Sequence, residues 1–307
     1  MIYIISSSYD ISTSEVMEWL RSIKKECVRI NNLIDNDSVI ELHINNKKES
    51  NSFYPKILVE SINRSSIWLR KGEYYNEANK DISEYYRKEN GGLINFLFAI
   101  ERNKKVIGKP FNAINKLEIL SKAKYYDIDI PNTILTNSKI KLLKFIKQNK
   151  IVISKAISEV LILSNNQKGT YTTILKARTI DSLPERFHTS LFQQYIEKEF
   201  DIRVFYLDGK IYPMTIFSQK DKKTKVDFRK YNYIKPNRTV RYKLPQNIEE
   251  RLIKFMSEEN MEAASIDIVK CKNSGKYYFL EVNPWGQFGM VSKPCNYYLE
   301  QAIAEML

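Results

Sequence analysis

Along the 307 residues the apolar positions alternate between a period of two and a period of three to four, and the changes of period mark an ordered series of elements. Residues 1–6 carry the unbroken run Ile2-Tyr3-Ile4-Ile5, the pattern of a strand buried on both faces. Ser12-x-x-Glu15 then reads as a capping box ahead of Val16, Trp19, Leu20 and Ile23, one apolar helical stripe. Strands are expected at 38–44 and 66–70, the second ending in a solvated Arg70-Lys71 pair, and a helix over 77–102 interrupted at Gly91-Gly92. This succession predicts a small α/β domain reaching to about residue 108, where Lys109-Pro110 marks a boundary. Helical spacing returns at Leu117, Leu120 and Ala123 within 115–126, and again at Ile140, Leu143 and Ile146 after Ser138. The strand Ile151-Val152-Ile153-Ser154 runs into Lys155, a polar loop covers 164–170, and a strand lies near 171–176. Strands follow at 191–196 and 201–207, a tight turn at Asp208-Gly209, a return strand at 211–218 and a basic, turn-rich stretch over 220–243. A helix over 248–261, a loop at 285–289 and a helix from Pro294 to Leu307 complete the chain. The expected division is 1–108, 109–190 and 191–307.

The most informative pattern lies near the end. Ser265-Ile266-Asp267-Ile268-Val269-Lys270 and Tyr277-Tyr278-Phe279-Leu280-Glu281-Val282-Asn283 flank Asn273-Ser274-Gly275, which predicts an antiparallel hairpin. Alternation puts Ile266 and Ile268 on one face and Asp267 on the other. In the second strand Tyr278, Leu280 and Val282 share a face, opposite Glu281 and Asn283. Folding about Ser274 sets Asp267 against Glu281. Two such carboxylates repel by roughly 4 kcal/mol at about 4 Å and an effective dielectric near 20, so a positive group should relieve them. Three oxygen donors on one face suit a hard divalent cation such as magnesium; an ordinary hairpin with a solvated polar face has the same pattern.

Composition narrows the partners. With 43% hydrophobic and 28% charged residues the chain is that of a soluble globular protein, and a net charge of +13 favours an acidic partner. Its lysines are spread along the sequence rather than interleaved with aromatics in one place, so nucleic acid is not the expected one. Three isolated cysteines point to a reducing compartment, and two histidines leave little room for a His-based triad or zinc site. No apolar run approaches a membrane span and the start lacks a signal sequence, so a cytoplasmic protein without a membrane partner is expected.

Other candidates stand in sequence order. Lys155 ends a strand before a loop with one glycine, which suits either phosphate contact or a plain hairpin. In Asp201-Ile202-Arg203-Val204 the two charged residues share a face, where Arg203 can meet phosphate or form a cross-strand ion pair. In Asp227-Phe228-Arg229, Arg229 can recognise an acidic substrate or only pair with Asp227 at the surface.

The ordered set Lys116, Lys155, Gln193-Gln194-Tyr195-Ile196, Asp201-Ile202-Arg203, Asp227-Phe228-Arg229, Asp267 and Glu281-x-Asn283 resembles the ATP-grasp superfamily over the whole chain. Within it, Glu281-Val282-Asn283-Pro284-Trp285-Gly286-Gln287-Phe288-Gly289 and Pro294-Cys295-Asn296-Tyr297-Tyr298-Leu299 look most like the grasp-with-spasm maturases among the graspetide (microviridin-type) ligases. The resemblance implies an α/β (α+β) ATP-grasp fold, with a pre-ATP-grasp domain ahead of two subdomains that clamp ATP. It implies that Lys116 and Lys155 touch ATP phosphates, the main chain of Gln194, Tyr195 and Ile196 holds adenine, and Asp201 holds the ribose. Arg203 would face the transferring phosphate and the substrate carboxylate, Arg229 the substrate's acidic side chain, and Asp267, Glu281 and Asn283 two magnesium ions. The substrate it implies is a ribosomally made precursor peptide, a leader plus an acidic core, cross-linked from Asp or Glu to Ser or Thr hydroxyls or Lys amines; a homodimer is compatible with it. Two departures stand out: the phosphate loop lacks the glycine cluster of other ATP-grasp enzymes, and Asn232 falls one position later than in the ribosomal-protein glutamate ligases. A ligase that adds glutamate or another amino acid is the alternative.

Overall fold

The computed structural model describes residues 1–7, 9–31, 66–70, 89, 92, 106–108, 115–157 and 171–307. The strand expected at 38–44, nearly all of the helix at 77–102, the boundary at Lys109-Pro110 and the loop at 164–170 lie outside the described residues. By internal contact the chain forms two units, 1–113 with 287–292 and 298–307, and 114–286 with 293–297.

The first unit holds β1 (Ile2–Ile5), α1 (Ile11–Ser22), β2 (Cys27–Ile30), β3 (Ser66–Leu69) and β4 (Val106–Ile107), with the sheet order β2-β1-β3-β4 and every pair parallel. β1 is central and buried at each position, as its apolar run requires. β2 was not among the expected strands, because Cys27-Val28-Arg29-Ile30 is short and only partly covered and so shows no clear period. α1 begins at Ile11 with Asp10 as its N-cap, which places Ser12 inside the helix instead of at its cap. Asp10 Oδ2 accepts from Thr13 Oγ1 (3.1 Å) and pairs with Arg70 Nε (3.0 Å). Arg70, expected to be solvated, is therefore buried, with its guanidinium 4.8 Å from the centre of the Phe288 ring. A counter-ion and an aromatic face go inside with the charge, which is what makes its burial tolerable.

The second unit holds two antiparallel sheets. The four-stranded sheet has the order β5 (Thr133–Ser138), β8 (Arg186–Gln194), β6 (Val152–Lys155), β7 (Thr173–Ile174); the five-stranded sheet has the order β11 (Arg238–Arg241), β10 (Lys210–Phe217), β9 (Lys198–Leu207), β12 (Ala263–Cys271), β13 (Tyr277–Asn283). β8 runs unbroken through residue 190, so the chain changes sheets at residues 195–197. Helix α2 (Lys116–Ala123) and the later amphipathic helix α5 (Gln246–Glu258) bury Leu120, Leu252 and Phe255 against Ile202, Val204, Ile266 and Phe279 of the five-stranded sheet. Helix α3 (Lys139–Asn149) buries Leu142 and Phe145 on Val152 and Phe192 of the other sheet, and the short α4 (Ala177–Asp181) precedes β8. β9 and β10 meet at Asp208-Gly209, both with positive φ (44° and 78°), the primed turn whose twist matches a two-residue hairpin. The helix expected from Pro294 to Leu307 is two, Gly289–Cys295 and Leu299–Met306, because Asn296 and Tyr298 between them take left-handed backbone (φ 54° each). No helix among the described residues is long and apolar enough to cross a membrane.

In the β12–β13 hairpin Asp267 does pair with Glu281, by a route the residue count missed. Near the turn Lys270 faces Tyr277, Val269 faces Tyr278 and Ile268 faces Phe279, a register centred between Asn273 and Ser274. The register then shifts by one, so that Leu280 is the extra residue of a bulge and Asp267 reaches Glu281, with Ile266 opposite Val282. The bulge also inverts the expected faces. Phe279, not Tyr278 or Leu280, enters the core beside Ile266 and Ile268, with Tyr277 and Val282 packed against it.

Candidate active site

The carboxylates and cations named from the sequence meet on the face of β9, β12 and β13 that is turned away from that core. β9 and β12 are in register with Arg203 beside Asp267 and Asp201 beside Val269. Arg203 Nη1 donates to Asp267 Oδ1 at 2.7 Å, both side chains being buried, so the cross-strand ion pair is the contact Arg203 makes in this state. On the next strand three cations converge on Glu281. Lys116 Nζ, from the start of α2, lies 3.2 Å from Oε2; Lys155 Nζ, from the end of β6, lies 3.7 Å from the same oxygen; Arg229 Nη1 donates to Oε1 at 3.2 Å. Burial would raise the Glu281 pKa, but Lys155, Lys116 and Arg229 hold it well below the usual carboxylate range. Burial pushes the Lys155 ammonium down, with Glu281 acting against the shift. The repulsion between Asp267 and Glu281 is thus relieved by the protein's own lysines and arginines.

Arg229, with a side chain 34% exposed, pairs with Asp227 as well as with Glu281. Its Nε and Nη2 fork onto the two oxygens of Asp227 at 2.9 Å each, and Asp227 is itself buried, accepting also from the Thr172 amide at 3.3 Å. Burial opposes the Arg229 charge, yet Asp227 and Glu281 raise its pKa above the ordinary value.

Beside this cluster a cleft opens to solvent between the two sheets of the second unit. Lys155, Gln194, Tyr195, Ile196, Asp201, Arg229, Asp267 and Glu281 line it; Lys116 and Arg203 reach it through Glu281 and Asp267. Asn283 stands two residue pairs farther along β13 than Glu281, opposite Ser265, with its Oδ1 accepting from the Trp285 amide at 2.9 Å. Gly286 then passes so close to β12 that a Cβ on it would lie 2.5 Å from the Ser265 amide. The amides of Gln194 and Tyr195 are already bonded to the carbonyls of Asn132 (2.8 Å) and Ile151 (3.0 Å), so a base held by this segment would use its carbonyls and the Ile196 amide.

Lys198 is a residue that sequence reasoning missed. Its Nζ lies 2.5 Å from Asp201 Oδ1 and 3.4 Å from the Val226 carbonyl, while Ser218 Oγ donates to Asp201 Oδ2 at 2.5 Å. Burial pushes the Asp201 pKa up, with Lys198 opposing. Both oxygens of Asp201 are therefore engaged from within the fold. The i,i+3 spacing of Lys198 and Asp201 carries no strand signal, since a period of two would put them on opposite faces; only the irregular start of β9, where Cys271 pairs with Lys198 after a register shift, brings them together.

Among the described residues no group of three or more His, Cys, Asp and Glu side chains is arranged to hold a metal ion. Asp267, Glu281 and Asn283 offer instead two carboxylates and an amide, the hard-oxygen set that suits magnesium when phosphate oxygens and water complete the shell.

The comparisons agree with this geometry. A family profile described as RimK-like ATP-grasp domain matches residues 112–307. No curated protein matches the sequence. Among solved structures, a RiPP-associated ATP-grasp ligase of Chryseobacterium gregarium, in complex with ADP and a leader and core peptide, superposes with a TM-score of 0.78 at 21% identity over 100% of this chain and 96% of that one. The macrocyclase MdnC of Microcystis aeruginosa, bound with precursor peptide MdnA, gives 0.79 at 21% identity over 100% and 98%. The ATP-grasp ligase PsnB, complexed with minimal precursor, Mg and ADP, gives 0.75 at 17% identity over 99% and 95%. The chain belongs to the RimK-like ATP-grasp family.

Proposed function

We propose that the protein is an ATP-dependent ligase that activates Asp or Glu side chains of a ribosomally made precursor peptide and cross-links them to Ser or Thr hydroxyls, as ω-esters, or to Lys amines, as ω-amides. The observation that carries this reading is the convergence of Lys116, Lys155 and Arg229 on Glu281, beside the Arg203–Asp267 pair, on one wall of a cleft between the two sheets. Support comes also from the neighbours' bound ADP, magnesium and precursor peptides.

In this reading ATP lies between the sheets of the parts expected at 109–190 and 191–307. Lys116 and Lys155 release Glu281 for the phosphates, and the segment Gln194, Tyr195 and Ile196 holds the base. Asp201 reaches a ribose hydroxyl by exchanging Ser218 Oγ for it. Asp267, Glu281 and Asn283 would hold magnesium, two ions by family resemblance, which neutralises charge on the phosphoryl oxygens. Each buried charge keeps a partner through this exchange: the cations pass from carboxylate to phosphate as the carboxylates pass from cation to metal. Arg203 faces the phosphoryl group in transfer and Arg229 orients the peptide carboxylate, whose oxygen takes the γ-phosphoryl group as ADP leaves. The hydroxyl or amine then attacks the acyl carbon, and phosphate departs with the carboxylate oxygen, so the peptide loses one water per link. No side-chain nucleophile is required.

Co-expression with an acidic, Ser/Thr-containing precursor followed by mass spectrometry tests the reading. Loss of water from the peptide is expected, and Arg229→Ala should keep nucleotide binding while abolishing that loss. A gain of residue mass would instead support the amino-acid-adding alternative. Dehydration by Arg229→Ala at the normal rate would end the assignment of Arg229 to substrate.

A further inference from the structure

The basic, turn-rich stretch visible in the sequence folds into an exposed, internally braced segment. Residues 218–237, between β10 and β11, carry six lysines and one arginine against two aspartates, a net of +5 out of the chain's +13. Both aspartates brace the segment: half-exposed Asp221 accepts from Asn232 Nδ2 at 2.7 Å, and buried Asp227 takes the Arg229 fork. Asn232 Oδ1 in turn accepts from the amides of Ile234 (3.2 Å) and Lys235 (3.2 Å), while Thr224 Oγ1 bonds the Ser218 carbonyl (3.0 Å) and lies 3.1 Å from Asn237 Oδ1. The braced tip holds Tyr233 and Ile234 almost wholly in solvent, at 86% and 97% exposure, with Tyr231 stacked edge-on against Tyr233 at 5.1 Å. Lys220, Lys222, Lys223, Lys225 and Lys235 are exposed, with Asp221 the acidic neighbour of Lys235 and Lys223. An ordered segment that spends its own carboxylates on internal bracing, and presents lysines and bare apolar side chains outward, is built to be covered.

We propose that residues 218–237 form a docking surface for an acidic stretch of the peptide substrate that also carries apolar side chains, lying just outside the cleft. This rests on the ligase reading above and adds the place where the substrate is first held. Charge complementarity names the occupant: the outward-facing cations, five lysines against the single half-exposed Asp221, are point charges that suit dispersed carboxylates, whereas Arg229 is bound to Asp227 and Glu281. Position agrees with it. Arg229, which is to orient the reacting carboxylate, is two residues before Tyr231, so a peptide held by the tip is tethered next to the cleft and its reaction becomes local.

The full-length protein is titrated, by fluorescence anisotropy, into a labelled Asp/Glu-rich peptide containing a Leu-Phe pair, into its Asn/Gln counterpart and into an oligothymidylate of equal length. The acidic peptide should bind best, and its binding should fall steeply toward 1 M salt, where the screening length is about 3 Å. Lys222→Glu with Lys223→Glu should weaken it by roughly tenfold or more, and Tyr233→Ser with Ile234→Ser should weaken it independently of salt. Thermal melts check that both variants fold, and magnesium-dependent nucleotide affinity should stay at the wild-type value in each. Unchanged peptide affinity in the charge-reversed variant, or tighter binding of the oligothymidylate than of the acidic peptide, overturns the proposal. A wild-type protein that binds the acidic peptide at this surface but fails to bind nucleotide would overturn the ligase reading instead.

Discussion

Glu281→Gln is the most revealing single change, because Glu281 is both the expected metal ligand and the counter-ion of three cations. The substitution keeps the shape and removes the charge. It leaves Lys155 and Lys116, whose side chains are 7% and 18% exposed, facing Arg229 without the anion between them. Removing one partner of a buried ion pair costs about 3–5 kcal/mol, and the partial exposure of Arg229 argues for the lower end, about 3 kcal/mol. At about 2–4 °C per kcal/mol for a domain of this size, the melting temperature of the free protein should fall by roughly 6–12 °C. An added polyanion should reverse this. Tripolyphosphate or metal-free ATP supplies the missing negative charge, so it should raise the melting temperature of the variant more than that of the wild type, while the stabilisation added by magnesium disappears. Differential scanning fluorimetry over the four combinations of nucleotide and magnesium reads both effects. A free variant that melts within about 2 °C of wild type would show that the three cations do not depend on Glu281. Equal magnesium stabilisation in the two proteins would show that the metal is held elsewhere.

Two further outcomes follow from the same contacts. Lys155→Ala should raise the dissociation constant of ATP by the equivalent of about 1.5–3 kcal/mol, the worth of a charge-assisted hydrogen bond, as read by calorimetry; unchanged affinity would move the phosphate contact to another residue. In the first unit, Asp10→Asn should lower stability in urea unfolding, by up to about 3–5 kcal/mol, because it takes the Asp10 carboxylate from the buried Arg70 guanidinium, whereas Arg70→Met with Asp10→Leu, which removes both charges, should cost less; equal losses in the two variants would mean that packing on Phe288 and not charge sets the cost.

Much of the site was legible because its ligands sit on strands, where a period of two decides which side chains share a face. Asp201 and Arg203 sharing a face follows from that period alone, and so does Glu281 sharing a face with Asn283. Legibility ended where the period was interrupted. The bulge at Leu280 exchanged the faces assigned to Phe279 and Tyr278, and it was also what restored the expected carboxylate pair, since the turn is centred half a residue away from Ser274. The same holds for Lys198, whose partnership with Asp201 depends on a register shift at the start of β9.

By itself the sequence determined the local choices: which segments are strands or helices, where the Asp208-Gly209 turn reverses the chain, which carboxylates stand on one side of the hairpin, and the order of residues that marks the family. Those depend on backbone periodicity and turn chemistry within a few residues. Only the tertiary structure decided the partners. Lys116, Lys155 and Arg229 come from α2, β6 and the segment after β10 to one carboxylate on β13, and Arg70 finds Asp10 across a parallel sheet. The basic stretch 218–237 is left facing outward because Asn232 and Arg229 engage its two aspartates. Such pairings arise from packing between distant elements, where the cost of burying a charge selects whichever opposite charge the fold brings within reach.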